Sequence, residues 1–339
     1  MPTIVKEGKG DFLKAVLFSE YGSPDVLRLG ELKKPKPKNI EVLVNVRAVS
    51  VNSWDWELLR GTPFANRLMF GFFRPTRIRA LGCDIAGRIE AVGSRVRLFK
   101  PGDEVFGDLS NGGWGGFAEY TCAKESELSL KPTEMTFEQA AAIPQAGLLA
   151  LQGLNYKGQV QAGQKVLING GGGGAGTFAI QIAKSFGAEV TAVDSAEKLE
   201  TMQQCGADHV VDYAQVDYVN SGEQYDRIFD CVARHSIFDY MRALTPGGVY
   251  AMIGGDSGGS IMQIMLLGPI ISMFSNKKLG IVMHKANKGV DELIELFEAG
   301  HAVPAIERTY PLSDVPDALR YFDGRHVKGK IVITLEESS

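Results

Sequence analysis

Metal-ligand spacing is what this sequence has least of. Its four cysteines, Cys83, Cys122, Cys205 and Cys231, form no C-x-x-C pair, and its five histidines form no H-x-x-x-H spacing. Composition therefore offers no metal site, and thiols this scattered point to a reducing, cytoplasmic setting rather than a disulfide framework. Long hydrophobic runs are also missing. The greasiest stretch, Ile261 to Phe274, is too short to span a bilayer and is interrupted by Gln263, Gly268, Pro269 and Ser272. The opening MPTIVKEGKGDFLK lacks the apolar core of a signal peptide. Positive charge is not in excess: a net charge of −4 gives no reason to expect nucleic acid or an acidic membrane as a partner. What remains, at 339 residues with 45% hydrophobic and 22% charged, is an ordinary globular composition on a chain long enough for two domains.

The most informative stretch is KVLINGGGGGAGTFAIQIAKSFGAEVTAVD, residues 165–194. A β-rich run, Val166 to Ile168, leads into a glycine cluster. The segment after it carries Ala179, Ile182, Ala183 and Phe186 at the i, i+3, i+4, i+7 spacing of a helix face. A second β-rich run, Val190 to Val193, ends on Asp194. That order is a βαβ dinucleotide-binding unit, and Gly171, Gly173 and Gly176 satisfy G-x-G-x-x-G. The chemistry needs bare backbone there, for a tight turn, for approach of a pyrophosphate and for close helix–strand packing. A helix beginning near Gly174 would offer its free N–H groups and positive dipole end to that anion. Gly171, Gly172, Gly173, Gly174, Ala175 and Gly176 are thus the expected phosphate cradle. A flexible glycine linker is the bland alternative, but both flanks carry the required periodicities.

Around this core the texture divides the chain. Residues 1–12 read as an extension, and order begins at a strand from Leu13 to Phe18. Many short strands punctuated by Gly and Pro follow, among them Ile40 to Val51, Leu81 to Gly93 and Phe99 to Gly107, as in a compact barrel-like β domain. A helix starts after Thr136. From Lys165 strands and helices alternate, which implies a doubly wound parallel sheet with both faces covered. The expected division is 13–136 with 287–339 as one domain and 137–286 as the other.

Beyond these patterns the chain resembles the medium-chain dehydrogenase/reductases, specifically their zinc-free quinone and enone reductase branch. The matching pieces are Ala48 to Asn52 with Asp55-Trp56 and Arg60-Gly61, then Gly82-Cys83-Asp84-Ile85-Ala86-Gly87. Lys100 to Val105, Asn169 to Gly176, Thr309 to Leu312 and Lys328 to Val332 complete the set. The resemblance implies a GroES-like β domain built from both chain ends with a Rossmann domain inserted. It also implies a homodimer and hydride transfer from NAD(P)H to quinones or α,β-unsaturated carbonyls. The zinc-dependent branch has a cysteine where this chain has Asn52, a histidine at Cys83 and a cysteine near Gln145. One thiol of three ligands does not make a catalytic zinc site, so no metal is expected. Asn52, standing where a metal ligand would be, is either a hydrogen-bond donor to the developing oxyanion or the N-cap of the helix beginning near Ser53. Asp55 is expected to steady that loop.

For the cofactor, Asp194 favours NAD(H) through the ribose hydroxyls, whereas Ser195, Lys198 and Tyr213 match positions that hold the 2′-phosphate in NADPH-using relatives. The mixture implies use of both NAD(H) and NADP(H), with the balance toward NADP(H). Ile253-Gly254 would be a bare strand end beside the nicotinamide. Two rival classes stand beside this reading. Gly255-Asp256-Ser257-Gly258-Gly259 fits the G-x-S-x-G elbow of a serine hydrolase, with His326 available as a triad partner. A dinucleotide-binding protein without catalysis is the other, because a fold does not fix a function.

Overall fold

The computed structural model describes residues 12–255 and 258–336; of the extension expected at 1–12 only Phe12 is described, and it belongs to the first strand, while the Asp256-Ser257 pair lies outside the described residues. Two compact units emerge. One runs to Pro144 and takes in Arg308–Arg325 and the chain from Ile331; the other comprises Gln145–Glu307 and His326–Lys330.

The first unit opens with an antiparallel pair, β1 (Phe12–Leu17) and β2 (Arg28–Lys33). Then come β3 (Glu41–Val51), α1 (Ser53–Arg60), α2 (Phe64–Phe70), β4 (Asp84–Val92), β5 (Glu104–Asp108), β6 (Tyr120–Lys124), β7 (Ser129–Leu130) and α3 (Phe137–Ala142). Strand β3 is the hub, since β4 and β6 both pair with it antiparallel. Alternation along β3 buries Val42, Val44 and Val46, and each buried valine contributes roughly 1.5–3 kcal/mol. The far end of the chain closes the sheet. Strands β14 (Ile306–Pro311) and β15 (Lys330–Thr334) join its edge, with Ile331 opposite Val51, and α10 (Val315–Asp323) lies between them in sequence. This is the β domain built from both chain ends.

The second unit holds α4 (Pro144–Leu154), β8 (Lys165–Asn169), α5 (Gly174–Ser185), β9 (Glu189–Asp194), α6 (Leu199–Gln204), β10 (His209–Asp212), β11 (Tyr225–Asp230), α7 (Ile237–Ala243), β12 (Leu244–Met252), α8 (Gly258–Phe274), β13 (Lys278–Ile281) and α9 (Val290–Glu298). Its six strands lie in the order β10-β9-β8-β11-β12-β13 with parallel pairings throughout. The order reverses between β8 and β11. That switch point is where an open α/β sheet leaves a crevice at its carboxyl ends.

The compact units divide the chain at other points than 136 and 286. Helix α3 stays with the β domain, where Arg47 and Lys131 sit over the Phe137 ring. Helix α9 stays with the parallel sheet: Gln152 clasps the turn before it, donating to the carbonyls of Lys285 and Lys288 and accepting from the Lys285 N–H. Helix α8 departs from the pattern of a buried helix. It rests Ile264 and Gly268 on the core and leaves Met262, Met265, Leu266, Ile270, Met273 and Phe274 exposed. Among the described residues no helix is long and apolar enough to cross a membrane.

Candidate active site

The glycine turn has the geometry its sequence anticipates. Gly173 occupies the N-cap of α5 in extended conformation, so Gly174, Ala175 and Gly176 form the first turn and their N–H groups have no intrahelical partner. Packing explains which glycines are obligatory. A Cβ on Gly176 would stand 2.1 Å from the Gly170 carbonyl oxygen, and one on Gly171 would meet Met202 and Ala192. A Cβ on Gly172 would strike Lys198. Gly173 differs, because the nearest atom to such a Cβ is the Gly170 oxygen at 3.5 Å. The protein does not fill the space over Gly173, which suits close approach of a pyrophosphate.

Three of the expected ribose-end residues are joined to this turn. The Asp194 carboxylate accepts from the Gly172 N–H at 3.0 Å and from the Ser195 N–H at 2.8 Å, and Lys198 Nζ lies 3.5 Å from it. Lys198 is 8% exposed, so it is a partly buried partner of Asp194 rather than a solvated helix residue. Tyr213 donates its N–H to the Asp194 carbonyl at 3.2 Å and keeps a half-exposed ring. The Arg234 guanidinium sits 5.7 Å from the centre of that ring, a cation absent from the set expected from the sequence. Ile253 and Gly254 follow β12, and the Ile253 N–H donates to the Asp230 carbonyl at 2.8 Å.

Other residues at the switch point escape motif reading. Asn169 at the end of β8 donates to Asp230 at the end of β11 across 2.8 Å. The fully buried Asp230 carboxylate also accepts from the N–H groups of Val232 and Ala233 and from the Tyr250 hydroxyl. One carboxylate thus ties the ends of β8, β11 and β12 around the crevice. The segment before β15 contributes too: the Gly329 N–H donates to the Gly172 carbonyl at 2.8 Å, and Lys330 packs beside Gly174. His326, the conceivable triad partner, pairs instead with Glu197 at 2.8 Å. The Lys328–Val332 match marked this stretch, but nothing in it named the glycine turn as its neighbour.

Asn52 and Asp55 belong to the first unit. Asn52 is the N-cap residue of α1 with an extended backbone, and it forms a capping box with Asp55. In it the Asn52 N–H donates to Asp55 Oδ2 at 2.9 Å. Asp55, fully buried, uses Oδ1 to accept from the Gly82 N–H at 2.7 Å, so it clamps the start of α1 to the segment that leads into β4. The Asn52 amide points at a polar cluster, donating to Asp84 Oδ2 at 3.0 Å with Cys83 Sγ 3.6 Å away. Sheet register assembles this cluster: Ser50 on β3 lies opposite Asp84 on β4, which lies opposite Asp108 on β5.

Cys83, Asp84 and Asp108 place ligand atoms within 4.8 Å of one another, a grouping that sequence spacing does not reveal. Its chemistry suits a catalytic Zn²⁺ poorly. Burial pushes the Cys83 thiol well above its ordinary range, and the charges of Asp84, Asp55 and Asp108 push it further. The Asn52 amide also directs an N–H donor into the group, where a cation would want a lone pair.

An open parallel sheet with a glycine turn at its switch point, together with a β domain formed from both chain ends, defines a dinucleotide-dependent oxidoreductase. Residues 38–133 match the alcohol dehydrogenase GroES-like domain, 205–333 the zinc-binding dehydrogenase family and 150–232 the alanine dehydrogenase/PNT C-terminal domain. The 2-methylene-furan-3-one reductase of Solanum lycopersicum is 32% identical over 95% of this chain and 79% of its own length. The chloroplastic NADPH-dependent alkenal/one oxidoreductase of Arabidopsis thaliana is also 32% identical, over the same shares. The solved quinone oxidoreductase of Coxiella burnetii superposes with a TM-score of 0.84 at 27% identity, over 96% of this chain and all of the other. The chain belongs to the medium-chain dehydrogenase/reductase family, in its quinone and enone oxidoreductase branch.

Proposed function

We propose that the protein is a zinc-independent NAD(P)H-dependent reductase of quinones or α,β-unsaturated carbonyls. The observation that carries this reading is the donor set at Asn52: an amide N–H aimed at Asp84 and Cys83 stands where a metal-dependent relative needs a ligand. A bound nicotinamide cofactor supplies hydride. Without a Lewis acid, the substrate itself must accept charge, and a conjugated carbonyl does. The protein's share is to hold the pyrophosphate on the first turn of α5, to keep the Asn52 amide oriented through Asp55 and Asp84, and to donate from it to the oxygen that gains charge. Oxidation of NADH and NADPH across quinones, enones and simple aldehydes tests this. Activity confined to saturated alcohols with the oxidised cofactor would overturn it. Exhaustive chelation is expected to leave turnover unchanged, and the active protein to hold less than one zinc per chain by elemental analysis.

Cofactor choice follows from the Asp194–Lys198 pair. Lys198 serves Asp194 in the free protein, so a 2′-phosphate must share its charge. Both dinucleotides are expected to bind, with NADPH favoured. Because Lys198→Ala also unpairs Asp194, the informative quantity is the ratio of the two affinities. Lys198→Ala is expected to weaken NADPH about tenfold relative to NADH, and Asp194→Ser to weaken NADH selectively. Equal losses for both cofactors in Lys198→Ala would end the phosphate-pocket assignment.

The assembly proposed is a homodimer through α8, whose outward Met265, Leu266, Ile270 and Met273 form an apolar face without charge. Light scattering should give twice the chain mass of 36.7 kDa. Leu266→Glu with Met273→Glu should return it to the monomer. A reducing, cytoplasm-like compartment fits the four free cysteines.

A further inference from the structure

The segment between α1 and β4 is built inside out. Helix α2 turns Arg67 inward, bonding the Gly61 carbonyl and lying over the Tyr21 ring, while Asn66 donates to the Thr62 carbonyl at its start. Three of its apolar residues face outward, Phe64, Leu68 and Met69, all more than half exposed. Phe72 and Phe73 extend the same surface, Phe72 being in edge contact with both Phe64 and Phe73. Phe73 is 88% exposed, an extreme for an aromatic residue. The surface is held firmly from behind, by the Tyr21 hydroxyl on the Gly71 carbonyl, by Phe70 against Trp114 and by buried Pro75 and Ile78.

Charge sets this surface apart from the rest of the chain. From Leu58 to Cys83 there are five arginines, Arg60, Arg67, Arg74, Arg77 and Arg79, and no acidic residue, in a chain whose net charge is −4. Arg74, Arg77 and Arg79 are exposed and make no ion pair among the described residues. Aromatic and aliphatic side chains projecting from a helix, flanked by unneutralised arginines, match the two layers of an anionic bilayer surface: acyl carbon for the rings and headgroup phosphate for the guanidinium groups. A second copy fits badly, because an isologous contact would press these arginines against the same arginines. A nucleic acid would satisfy the charges but gives Leu68 and Met69 nothing to pack on.

We propose that residues 64–79 are a membrane-docking surface that seats the protein on anionic phospholipid. The whole-chain charge, which argues against such a partner, hides this local excess. The proposal does not depend on the reductase reading, since its readout is binding.

The test is co-sedimentation of the full chain with vesicles of phosphatidylcholine alone or with roughly 30 mol% phosphatidylserine. Binding is expected only to the anionic vesicles, and it should weaken as salt is raised. Arg74→Gln, Arg77→Gln and Arg79→Gln together should lower the partition coefficient on the order of a hundredfold, at about fivefold per charge. Phe73→Ser alone should lower it at least about tenfold. Both variants should melt like the wild type, because the residues changed are exposed. Three results would overturn the proposal. One is no binding to anionic vesicles at any salt. Another is loss with the arginine variant but none with Phe73→Ser or Leu68→Ser, which would mark a bare polyanion site. The last is a concentration-dependent oligomer that Phe73→Ser dissolves while vesicle binding persists.

Discussion

Alanine at Asn52 is expected to lower cofactor-saturated turnover of a quinone or enone by on the order of a hundredfold while leaving the dinucleotide dissociation constant unchanged. The size follows from what one preorganised donor to a developing oxyanion contributes, about 3–4 kcal/mol in a dry site. Asn52 is 4% exposed and its amide is already aimed, with one proton engaged by Asp84 at 3.0 Å. The same nitrogen meets the Ser50 hydroxyl and carbonyl only at 3.4 and 3.5 Å, long contacts that a substrate oxygen can replace. The substitution has a structural cost as well: Asp84 loses a donor inside the protein, which costs roughly 1–3 kcal/mol of stability. The two effects separate by measurement. A lowered melting temperature with unchanged kcat would reduce Asn52 to a brace for Asp84. A fallen kcat with the NADPH affinity intact assigns it to the reaction.

How much of the molecule is legible in the sequence depends on how far apart the interacting residues lie. The β8–α5–β9 unit is legible, since a short apolar β-rich run, a glycine turn and a 3.6-period run are local signals that agree with one another. The Ser50–Asp84–Asp108 row is not, because it exists only once β3, β4 and β5 pair in a particular register. The same holds for Asn169 and Asp230, brought together by a sheet order in which β8 and β11 are neighbours despite two intervening strands. Helix α2 is hidden for a different reason. A periodicity search looks for an apolar face turned inward, and α2 turns that face out. Helix α10, in contrast, buries Val315, Ala318 and Leu319 at ordinary i, i+3, i+4 spacing and is within reach of the sequence.

Alanine at Gly176 is expected to do the reverse of what helix propensity says. Gly176 lies in the first turn of α5 and has no positive φ, so by intrinsic preference alanine should stabilise the helix by up to about 1 kcal/mol. Packing opposes this more strongly. The new methyl would stand 2.1 Å from the Gly170 carbonyl oxygen and 2.7 Å from the Gly171 Cα, both backbone atoms of the turn itself. No rotamer change relieves such a contact; the turn must spread from the helix. Overpacking of this kind costs about 1–3 kcal/mol, and a clash on two backbone atoms belongs at the upper end. The Gly172 N–H bond to Asp194 and the Gly329 bond to the Gly172 carbonyl anchor the same turn, so spreading it disturbs the ribose end as well. Gly176→Ala is therefore expected to melt several degrees below the wild type and to bind NADPH at least about tenfold more weakly. Gly173→Ala is the control, with its nearest neighbour at 3.5 Å. It should melt closer to the wild type than Gly176→Ala does, since the site is uncrowded and alanine in place of glycine at an N-cap costs roughly 1 kcal/mol. Any loss of NADPH binding in that variant then reports the open face over Gly173 rather than the fold. A Gly176→Ala protein that melts at or above the wild type and binds NADPH normally would show that the turn yields to the methyl group, and the packing account of this glycine would be wrong.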